Sequence, residues 1–369
     1  MTIRHKFCDV FMTMDGERVM KSYVIREFGT PLAELEGATP TPSGTEVLLQ
    51  IHHCGVCHTD LHLREGSFDL GGGKRLASKL ALPHVLGHEI EGRVAAVGSD
   101  AGDVPVGARF AAFPWIGCGR CSACRRGEEN ICLGETRQLG CSSGCPGGYA
   151  THVLLPHPRY LIDYGDVEPA LAAACMCSGL TAYSALKKAG PIAGDEHVLL
   201  IGCGGVGMMA IQFARALFEA APLVADIDAG RRQAALAAGA GVAFDAADAG
   251  ASDQLRAATG GGPAAVVDFV GSEKSFALAN RVVRRGGRIV VVGLFGGALQ
   301  LPLPLIPLRQ ISIIGSNTGT LAETHAMMAL VRAGRVHPIP IARRPLAEAE
   351  SALTALAQGR VTGRVVLVP

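Results

Sequence analysis

The chain has 369 residues, enough for two domains, and its 34 basic side chains nearly balance 33 acidic ones. No basic stripe suggests nucleic-acid binding, and no uninterrupted apolar run reaches the roughly 18 residues of a membrane helix. The N-terminal residues show neither the apolar stretch nor the cleavage site of a secretory signal. The 12 cysteines are therefore expected to be reduced or metal-bound thiols of a cytoplasmic protein.

The first half of the chain is predicted to be rich in short strands. Residues 1–19 are interpreted as an extension, or as the product of an alternative translation start, because the first strand-like stretch follows them. Valine-rich segments at 46–52, 91–97 and 108–113 are separated by glycine and proline. This pattern predicts an irregular β-rich domain with long loops.

From about Glu168 the pattern changes to apolar strands that alternate with helices. An alanine-rich helix is predicted to end at Gly190 and Pro191, and strand and helix then alternate. Such alternation predicts a parallel, doubly wound sheet. The last stretch, from about Asn317, is predicted to contain two further helices and two strands, the last of them within GRVVLVP.

A glycine-rich motif of the form G-x-G-x-x-G follows the apolar strand 197–201 and opens a helix predicted over 206–220. This context favours a dinucleotide-binding turn over a glycine-rich turn of another α/β domain. The second strand ends at Asp226, whose carboxylate would bind the adenosine ribose and repel the 2′-phosphate of NADP, so the predicted cofactor is NAD. The motif residues assigned to the cofactor are Gly202, Gly204, Gly205, Val206 and Gly207.

Four cysteines with the spacing C-x2-C-x2-C-x7-C predict a structural zinc site. They are Cys118, Cys121, Cys124 and Cys132. Four thiolates this close in the chain can fill all four positions of a tetrahedral zinc ion. The alternatives are a redox-active thiol cluster or an iron–sulfur site, although the run lacks the C-x3-C-P ending of bacterial ferredoxins.

A second candidate metal set lies in three distant segments, at Cys57, His88 and Cys177. Two thiolates and one imidazole would leave a tetrahedral position open for a water molecule or a substrate oxygen, as in catalytic zinc sites. Spacing alone does not join these segments.

The chain resembles zinc-dependent medium-chain alcohol dehydrogenases from about Met20 to its end. The motifs GVCHTDLH, GHE followed by G-x-V-x-x-V-G, the four cysteines, CSGLTAY and GCGGVG occur in the order of that family. The resemblance implies an α/β fold class, with a GroES-like β-barrel catalytic domain and a Rossmann domain with a doubly wound parallel sheet. It places these domains at 1–177 and 178–317, with 318–369 completing the catalytic domain. The stretch LPLPLIPLRQISIIGS implies a homo-oligomer, a tetramer or a dimer.

The resemblance also implies roles for residues around the catalytic zinc. Cys57, His88 and Cys177 become its ligands, Glu89 the neighbouring acid that can approach the metal, and Asp60 the carboxylate that orients His88. These assignments come from the family's motifs and not from the spacing of the residues.

Further roles concern the proton path, the cofactor and the substrate. Thr59 would contact the substrate oxygen, and His62 would end the proton relay, because histidine exchanges protons near neutral pH. The remaining residues assigned to the cofactor are His58, Arg231, Gly293 and Arg364. Phe68 and Trp115 lie just beyond metal motifs and are candidates for the wall of the substrate pocket, with ordinary packing as the alternative for each.

A narrower resemblance, in HLREGSFDLGGGKRL and FPWIGCGRC, favours the 6-hydroxyhexanoate dehydrogenases. It implies oxidation of a primary alcohol or ω-hydroxy acid to the aldehyde. Lys74 or Arg75 would then meet a distal carboxylate, unless both are solvated loop charges. The alternatives are a polyol or secondary-alcohol dehydrogenase, a zinc-free reductase, against which the cysteines argue, and a non-catalytic NAD-binding protein.

Three other cysteines have open roles. Cys175 lies two residues before Cys177 and competes with it as the zinc ligand, although Cys177 directly precedes SGLTAY. Cys141 and Cys145, in the loop GCSSGCPGG, are interpreted as reduced thiols or as a redox pair.

Overall fold

The computed structural model describes residues 19–298 and 301–369, so the predicted extension lies outside the described residues except for Val19. The strands are β1 (Val19–Ile25), β2 (Ala33–Ala38), β3 (Val47–Gly55), β4 (Ser67–Gly71), β5 (Lys74–Ala77), β6 (His84–Val85), β7 (Glu89–Val97), β8 (Arg109–Ala112), β9 (His152–Leu155), β10 (Leu161–Ile162), β11 (Val198–Ile201), β12 (Leu223–Asp226), β13 (Val242–Asp245), β14 (Ala265–Asp268), β15 (Arg288–Val291), β16 (Ser312–Gly315), β17 (Ile341–Pro345) and β18 (Arg364–Val368). The helices are α1 (His58–Glu65), α2 (Ser122–Arg125), α3 (Pro169–Ala174), α4 (Leu180–Ala189), α5 (Gly205–Leu217), α6 (Ala229–Ala237), α7 (Ala251–Ala258), α8 (Glu273–Val282), α9 (Leu305–Arg309), α10 (Leu321–Arg332) and α11 (Ala349–Ala357).

The first half is built on a seven-stranded sheet in which β3 lies between β7 and β18. β3 is an interior strand of this sheet and consists mainly of buried residues. The final strand β18 returns from the far end of the chain to pair with β3, and Val366 lies opposite Gly55. The C-terminal segment thereby brings Arg364 next to the start of α1, where Val56 N donates to Val365 O at 2.9 Å.

The second half contains a six-stranded parallel sheet in the order β13-β12-β11-β14-β15-β16. Numbered from β11, this is the 3-2-1-4-5-6 order of dinucleotide-binding folds, in which the strand order reverses between β11 and β14. Each of the strands β11, β12 and β14 has four residues, and all of them are buried, as expected for strands covered by helices on both faces. The predicted doubly wound sheet is confirmed, although α5 ends at Leu217 rather than at 220, because the chain adopts an extended conformation at Phe218.

The alanine-rich segment forms one helical run of 21 residues, Pro169–Ala189. A π-helical turn, Cys175–Gly179, joins α3 to α4, and the run ends at Gly190 with φ 82°, as predicted. By length and composition alone this run could cross a membrane, but 94% of its most apolar window is buried inside the protein. It is a core helix that packs under the sheet strands, and it carries the CSG motif.

Candidate active site

A cavity of about 1200 Å³ lies between the two halves, along the carboxyl ends of β11, β12, β14 and β15. Ligands of doubly wound folds bind at this edge, near the point where the strand order reverses. The predicted site residues that line the cavity are Cys57, His58, Thr59, His62, Trp115, Cys177, Gly202, Gly204, Gly205, Val206, Gly207, Asp226, Arg231, Gly293 and Arg364.

The two thiols and the imidazole predicted as catalytic ligands come together at one end of this cavity. The ligand atoms of Cys57, His88, Glu89 and Cys177 all lie within 4.8 Å of one another. The two sulfur atoms are 4.0 Å apart, close to the roughly 3.8 Å edge of a tetrahedron with Zn–S bonds of about 2.3 Å. His88 Nε2 is buried and has no hydrogen-bond partner among the described residues. This donor set therefore fits a zinc ion.

The carboxylate of Asp60 holds the segments that carry these ligands. It is fully buried, and it accepts hydrogen bonds from Cys57 N at 2.9 Å and Gly87 N at 3.2 Å. The hydroxyl of Tyr149 donates to it at 3.1 Å, and His88 Nδ1 lies 3.2 Å from its Oδ1. A carboxylate at the second ring nitrogen fixes the tautomer and orientation of a metal-binding histidine.

The π-helical turn places Cys177 and Cys175 differently. Cys177 lines the cavity and faces Cys57, whereas Cys175 is fully buried outside the cluster. The geometry thus favours Cys177 as the ligand.

Cys141 lies close to the metal cluster, and Cys145 lies apart from it. Cys141 Sγ is 3.6 Å from His88 Nδ1, on the side of the ring that Asp60 also occupies. Burial raises the pKa of Cys145 to about 11. Neither forms a disulfide bond in the structure.

Glu89 and Arg364 form a buried ion pair beside the cluster. Glu89 Oε1 accepts from the guanidinium, while Oε2 has no partner among the described residues. Burial raises the pKa of Glu89 to about 7, although Arg364 opposes this shift. A Cβ added to Gly205 would lie 3.0 Å from Arg364 Nη1, so the guanidinium also touches the glycine-rich turn. It can therefore contact a phosphate there.

The glycine-rich turn has the shape that a dinucleotide requires. Gly202 has φ 93°, and a Cβ on Gly207 would lie 1.9 Å from Gly202 O, so both positions need glycine. Gly204 faces open space, with no atom within 4 Å of an added Cβ. Asp226 is 5% exposed and accepts from Cys203 N at 2.7 Å, which ties the acidic end of β12 to the turn. The glycine-rich turn and the carboxylate of Asp226 together fit NAD.

The other residues assigned to the cofactor also border the cavity. Arg231 donates to Gly359 O at 3.0 Å near the acidic end of β12. At Gly293 an added Cβ would lie 2.0 Å from the carbonyl carbon of Val270, so only glycine fits. Burial lowers the pKa of His58, and its ring centroid lies 5.6 Å from that of Phe295.

The residues of the proton path and the pocket are only partly where the sequence predicts. Thr59 Oγ1 lies 3.7 Å from Cys57 Sγ, and both Thr59 and His62 face the cavity. Trp115 forms a wall, and its Nε1 donates to the backbone of the π-helical turn at 3.0 Å. Phe68 does not line the cavity; it packs against His62 with ring centroids 5.0 Å apart. The closeness of Phe68 to a metal motif in the sequence does not show which way its side chain points from β4.

Several cavity residues have no counterpart in the sequence analysis. The wall also contains Leu294 and Phe295, which follow β15, and Asn317 and Thr318, which follow β16. They belong to no motif. The signal that could have found them is their place directly after predicted parallel strands, where ligands of this fold bind.

The four cysteines of the predicted structural site form a second cluster, away from the cavity. We call the segment that carries them, residues 118–132, the four-cysteine lobe. Sulfur pairs lie 3.9 and 4.0 Å apart. Backbone N–H groups of Cys124 and Leu133 point at Cys121 Sγ and lower the pKa of that thiol to about 6. Four sulfur atoms this close, with donors stabilising a thiolate, fit a closed zinc site.

Comparison with known proteins agrees with these features. Two family models match, described as alcohol dehydrogenase GroES-like domain over residues 43–165 and as zinc-binding dehydrogenase over 205–333. The NAD-dependent alcohol dehydrogenases of Sulfurisphaera tokodaii and Saccharolobus solfataricus are 37% and 35% identical, over 95% of this chain and 100% of their own. The alcohol dehydrogenase structure from Aeropyrum pernix matches with TM-score 0.85 and 29% identity, over 95% of this chain and 100% of its own.

An acetophenone reductase from Geotrichum candidum, solved in complex with NAD, matches with TM-score 0.83 and 31% identity, over 96% of this chain and 99% of its own. The predicted fold class and the predicted cofactors, zinc and NAD, are confirmed by these relatives. The chain therefore belongs to the zinc-dependent medium-chain alcohol dehydrogenase family and is an NAD-linked oxidoreductase that acts on alcohols.

Proposed function

We propose that this enzyme interconverts a small, neutral primary alcohol and its aldehyde, with the substrate oxygen at Cys57, His88 and Cys177. The observation that carries the proposal is that this cluster opens into the same cavity as the glycine-rich turn. A substrate at the cluster and a cofactor on the turn would therefore share one enclosed space. We further propose that the protein is cytoplasmic, and that the four-cysteine lobe holds a second, structural zinc ion.

The bound groups and the chain divide the chemistry between them. Zinc supplies a Lewis acid for the alcohol oxygen, and NAD accepts the hydride. Thr59 can hold the proton of the substrate hydroxyl at Oγ1, since it borders both Cys57 and the cavity. His62 can take up this proton, because burial lowers its pKa and keeps the imidazole neutral at pH 7. Trp115 shields the cluster from water.

The positions of Lys74 and Arg75 argue against their binding a carboxylate-bearing substrate. Lys74 and Arg75 lie on the exposed β5 strand and do not line the cavity, and Arg75 Nη1 donates to Ser67 Oγ at 3.3 Å. Around the metal cluster the wall offers Trp115 and Phe295 instead. Of the cationic side chains that line the cavity, Arg364 is already paired with Glu89 and Arg231 donates to Gly359 O, so neither is free for a distal carboxylate.

The proposed substrate class can be tested by comparing kcat/KM for 1-hexanol and 6-hydroxyhexanoate with NAD in excess. We expect at least about a tenfold preference for 1-hexanol, or roughly 1.4 kcal/mol of transition-state binding. The ratio should not change in a Lys74→Ala, Arg75→Ala double variant, which serves as the control. A preference for the hydroxy acid that this double variant abolishes would contradict the proposal.

A secondary-alcohol dehydrogenase is the second candidate function. It is favoured by the likeness to the acetophenone reductase, which is similar over nearly the whole chain. Adding 2-hexanol to the same comparison separates the two candidates. Faster turnover of 2-hexanol than of 1-hexanol would favour the second one.

The role of His62 predicts a particular pH dependence. Alcohol oxidation needs the neutral imidazole, so activity is lost as the pH falls through the pKa of His62, which burial places below the ordinary 6.5. We expect His62→Gln to lower kcat by about a hundredfold and to remove this acid inflection from the pH profile. His58→Gln is the matched control on the same helix, and should raise KM for NAD while keeping the inflection. A His62→Gln profile that keeps it would refute the relay.

A homo-oligomer, a tetramer or a dimer, also remains part of the proposal. β16 is the last strand of the parallel sheet, and no further strand among the described residues pairs with its outer edge. Large apolar side chains stand exposed near it, including Leu303 at 73% and Leu308 at 69%. An exposed strand edge flanked by apolar side chains is typical of a surface that pairs with a second copy.

A further inference from the structure

The four-cysteine lobe reaches the wall of the cofactor cavity through the side chain of Asn130. Asn130 lies between the third and fourth cysteines, and its Nδ2 donates to the backbone oxygen of Asn317 at 3.2 Å. A carbonyl oxygen can only accept, so the amide nitrogen and not the amide oxygen must face Asn317. The lobe thus supports a segment that is 187 residues away in the chain.

The supported segment is the turn of Asn317 and Thr318, which lines the cavity. Thr318 has φ 50°, a left-handed conformation that β-branched residues rarely adopt. Its side chain is nearly buried, at 4% exposure, and its Oγ1 has no hydrogen-bond partner among the described residues. Such backbone conformations persist only where the surroundings hold them. A buried, unpartnered hydroxyl at a cavity wall is a group that a ligand can satisfy.

The turn is held from its other side by α4. A Cβ added to Gly319 would lie 2.7 Å from Leu180 Cδ1, so the chain passes directly against this helix. Leu180 begins the helix just after the π-helical turn with Cys177. The turn is therefore confined between α4 and Asn130.

Asn130 has a rigid base within the lobe. Its neighbour Glu129 is 5% exposed and accepts hydrogen bonds from Gly117 N at 2.9 Å and from the hydroxyl of Tyr160 at 2.9 Å. Two residues after Asn130, Cys132 Sγ accepts from Gly134 N at 3.3 Å within the sulfur cluster. The position of the amide is thus set by the geometry of the cysteine cluster.

We propose that Asn130 is a positioning residue, through which the four-cysteine lobe keeps the turn of Asn317 and Thr318 in its NAD-binding shape. This role deepens the proposed function and rests on the cavity being the cofactor site. Asn130 acts through the turn and does not touch the cofactor. Its loss therefore weakens NAD binding without removing a metal ligand.

The test is a fluorescence titration of the zinc-loaded enzyme with NADH. Asn130→Asp keeps the size of the side chain but replaces the donor by an acceptor that repels Asn317 O. We expect Kd for NADH to rise about five- to tenfold, the effect of losing one hydrogen bond of about 1 kcal/mol, while zinc content and the far-ultraviolet spectrum stay unchanged. Glu128→Gln, which alters only the exposed ion pair with Arg126 on the same lobe, should leave Kd unchanged.

A second variant tests whether Asn130 acts through the turn. Thr318→Ala removes the unpartnered hydroxyl, and should raise Kd alone but add little in the Asn130→Asp background, because the two changes act on one element. Unchanged Kd in Asn130→Asp, or an equal rise in Glu128→Gln, would overturn the role of Asn130. Loss of zinc from Asn130→Asp would also overturn it, because the residue would then serve only the lobe. If the wild-type enzyme does not bind NADH, the cofactor site itself is wrong.

Discussion

Replacing Cys177 with alanine is expected to lower kcat/KM for alcohol oxidation by about a thousandfold or more, whereas replacing Cys175 should change it little. Cys177 Sγ lies 4.0 Å from Cys57 Sγ and is part of the catalytic cluster, so its loss leaves only one thiolate and one imidazole for the metal. A metal's electrostatic contribution to such a reaction amounts to several kcal/mol, and about 4 kcal/mol corresponds to a thousandfold. The measurement is kcat/KM together with the zinc content per chain.

Cys175→Ala is a matched control because it removes the same atom two residues away on the same π-helical turn. Cys175 is fully buried and outside the cluster, so its replacement leaves a small cavity and costs stability of about 1 kcal/mol. Zinc content should fall from two to one equivalent in Cys177→Ala and stay at two in Cys175→Ala. The reverse pattern would show that Cys175 is the ligand.

Asp226→Asn is expected to lower kcat/KM for NAD about tenfold and to reduce the discrimination against NADP at least as much. The carboxylate accepts from Cys203 N at 2.7 Å and from Asp228 N at 2.9 Å, and it borders the cavity. Asparagine has one acceptor oxygen where aspartate has two, so it cannot keep both bonds and also bind the ribose. Without the negative charge, a 2′-phosphate is no longer repelled. The measurement is kcat/KM for both cofactors.

Asp228→Asn controls for the loss of one negative charge nearby. Asp228 is exposed and is the N-cap of α6, where its side chain accepts from Arg231 N at 2.7 Å. Asparagine caps a helix about as well as aspartate, so the fold should be unaffected. An equal loss of cofactor discrimination in this control would mean that Asp226 acts only through the general charge of the region.

The parts of the site that the sequence predicts best are those whose residues lie close together in the chain. The glycine-rich turn occupies six consecutive residues, and the four cysteines occupy fifteen, so their spacing alone indicates their chemistry. Cys57 and Cys177 are 120 residues apart, and only the resemblance to a family joined them. The parallel sheet was also predictable, because its strands are short, apolar and separated by helices.

The sequence does not predict contacts that depend on the packing of distant segments. The resemblance implies a phosphate contact for Arg364, but the ion pair with Glu89 forms only because β18 pairs with β3. Phe68 follows a metal motif and was a candidate for the pocket wall, and its ring packs on His62 instead. Thr318 belongs to no motif, and neither its left-handed backbone nor the support from Asn130 has a local sequence signal.

The two metal clusters also differ in how much of the chain must be in place before each exists. The backbone of Cys118 contacts the sulfur of Cys132, 14 residues later, whereas 120 residues separate Cys57 from Cys177. Closing the longer loop costs about 2 kcal/mol more chain entropy, and the catalytic cluster also needs β3 and the π-helical turn to be folded. During synthesis the lobe can thus take up metal long before the catalytic cluster exists.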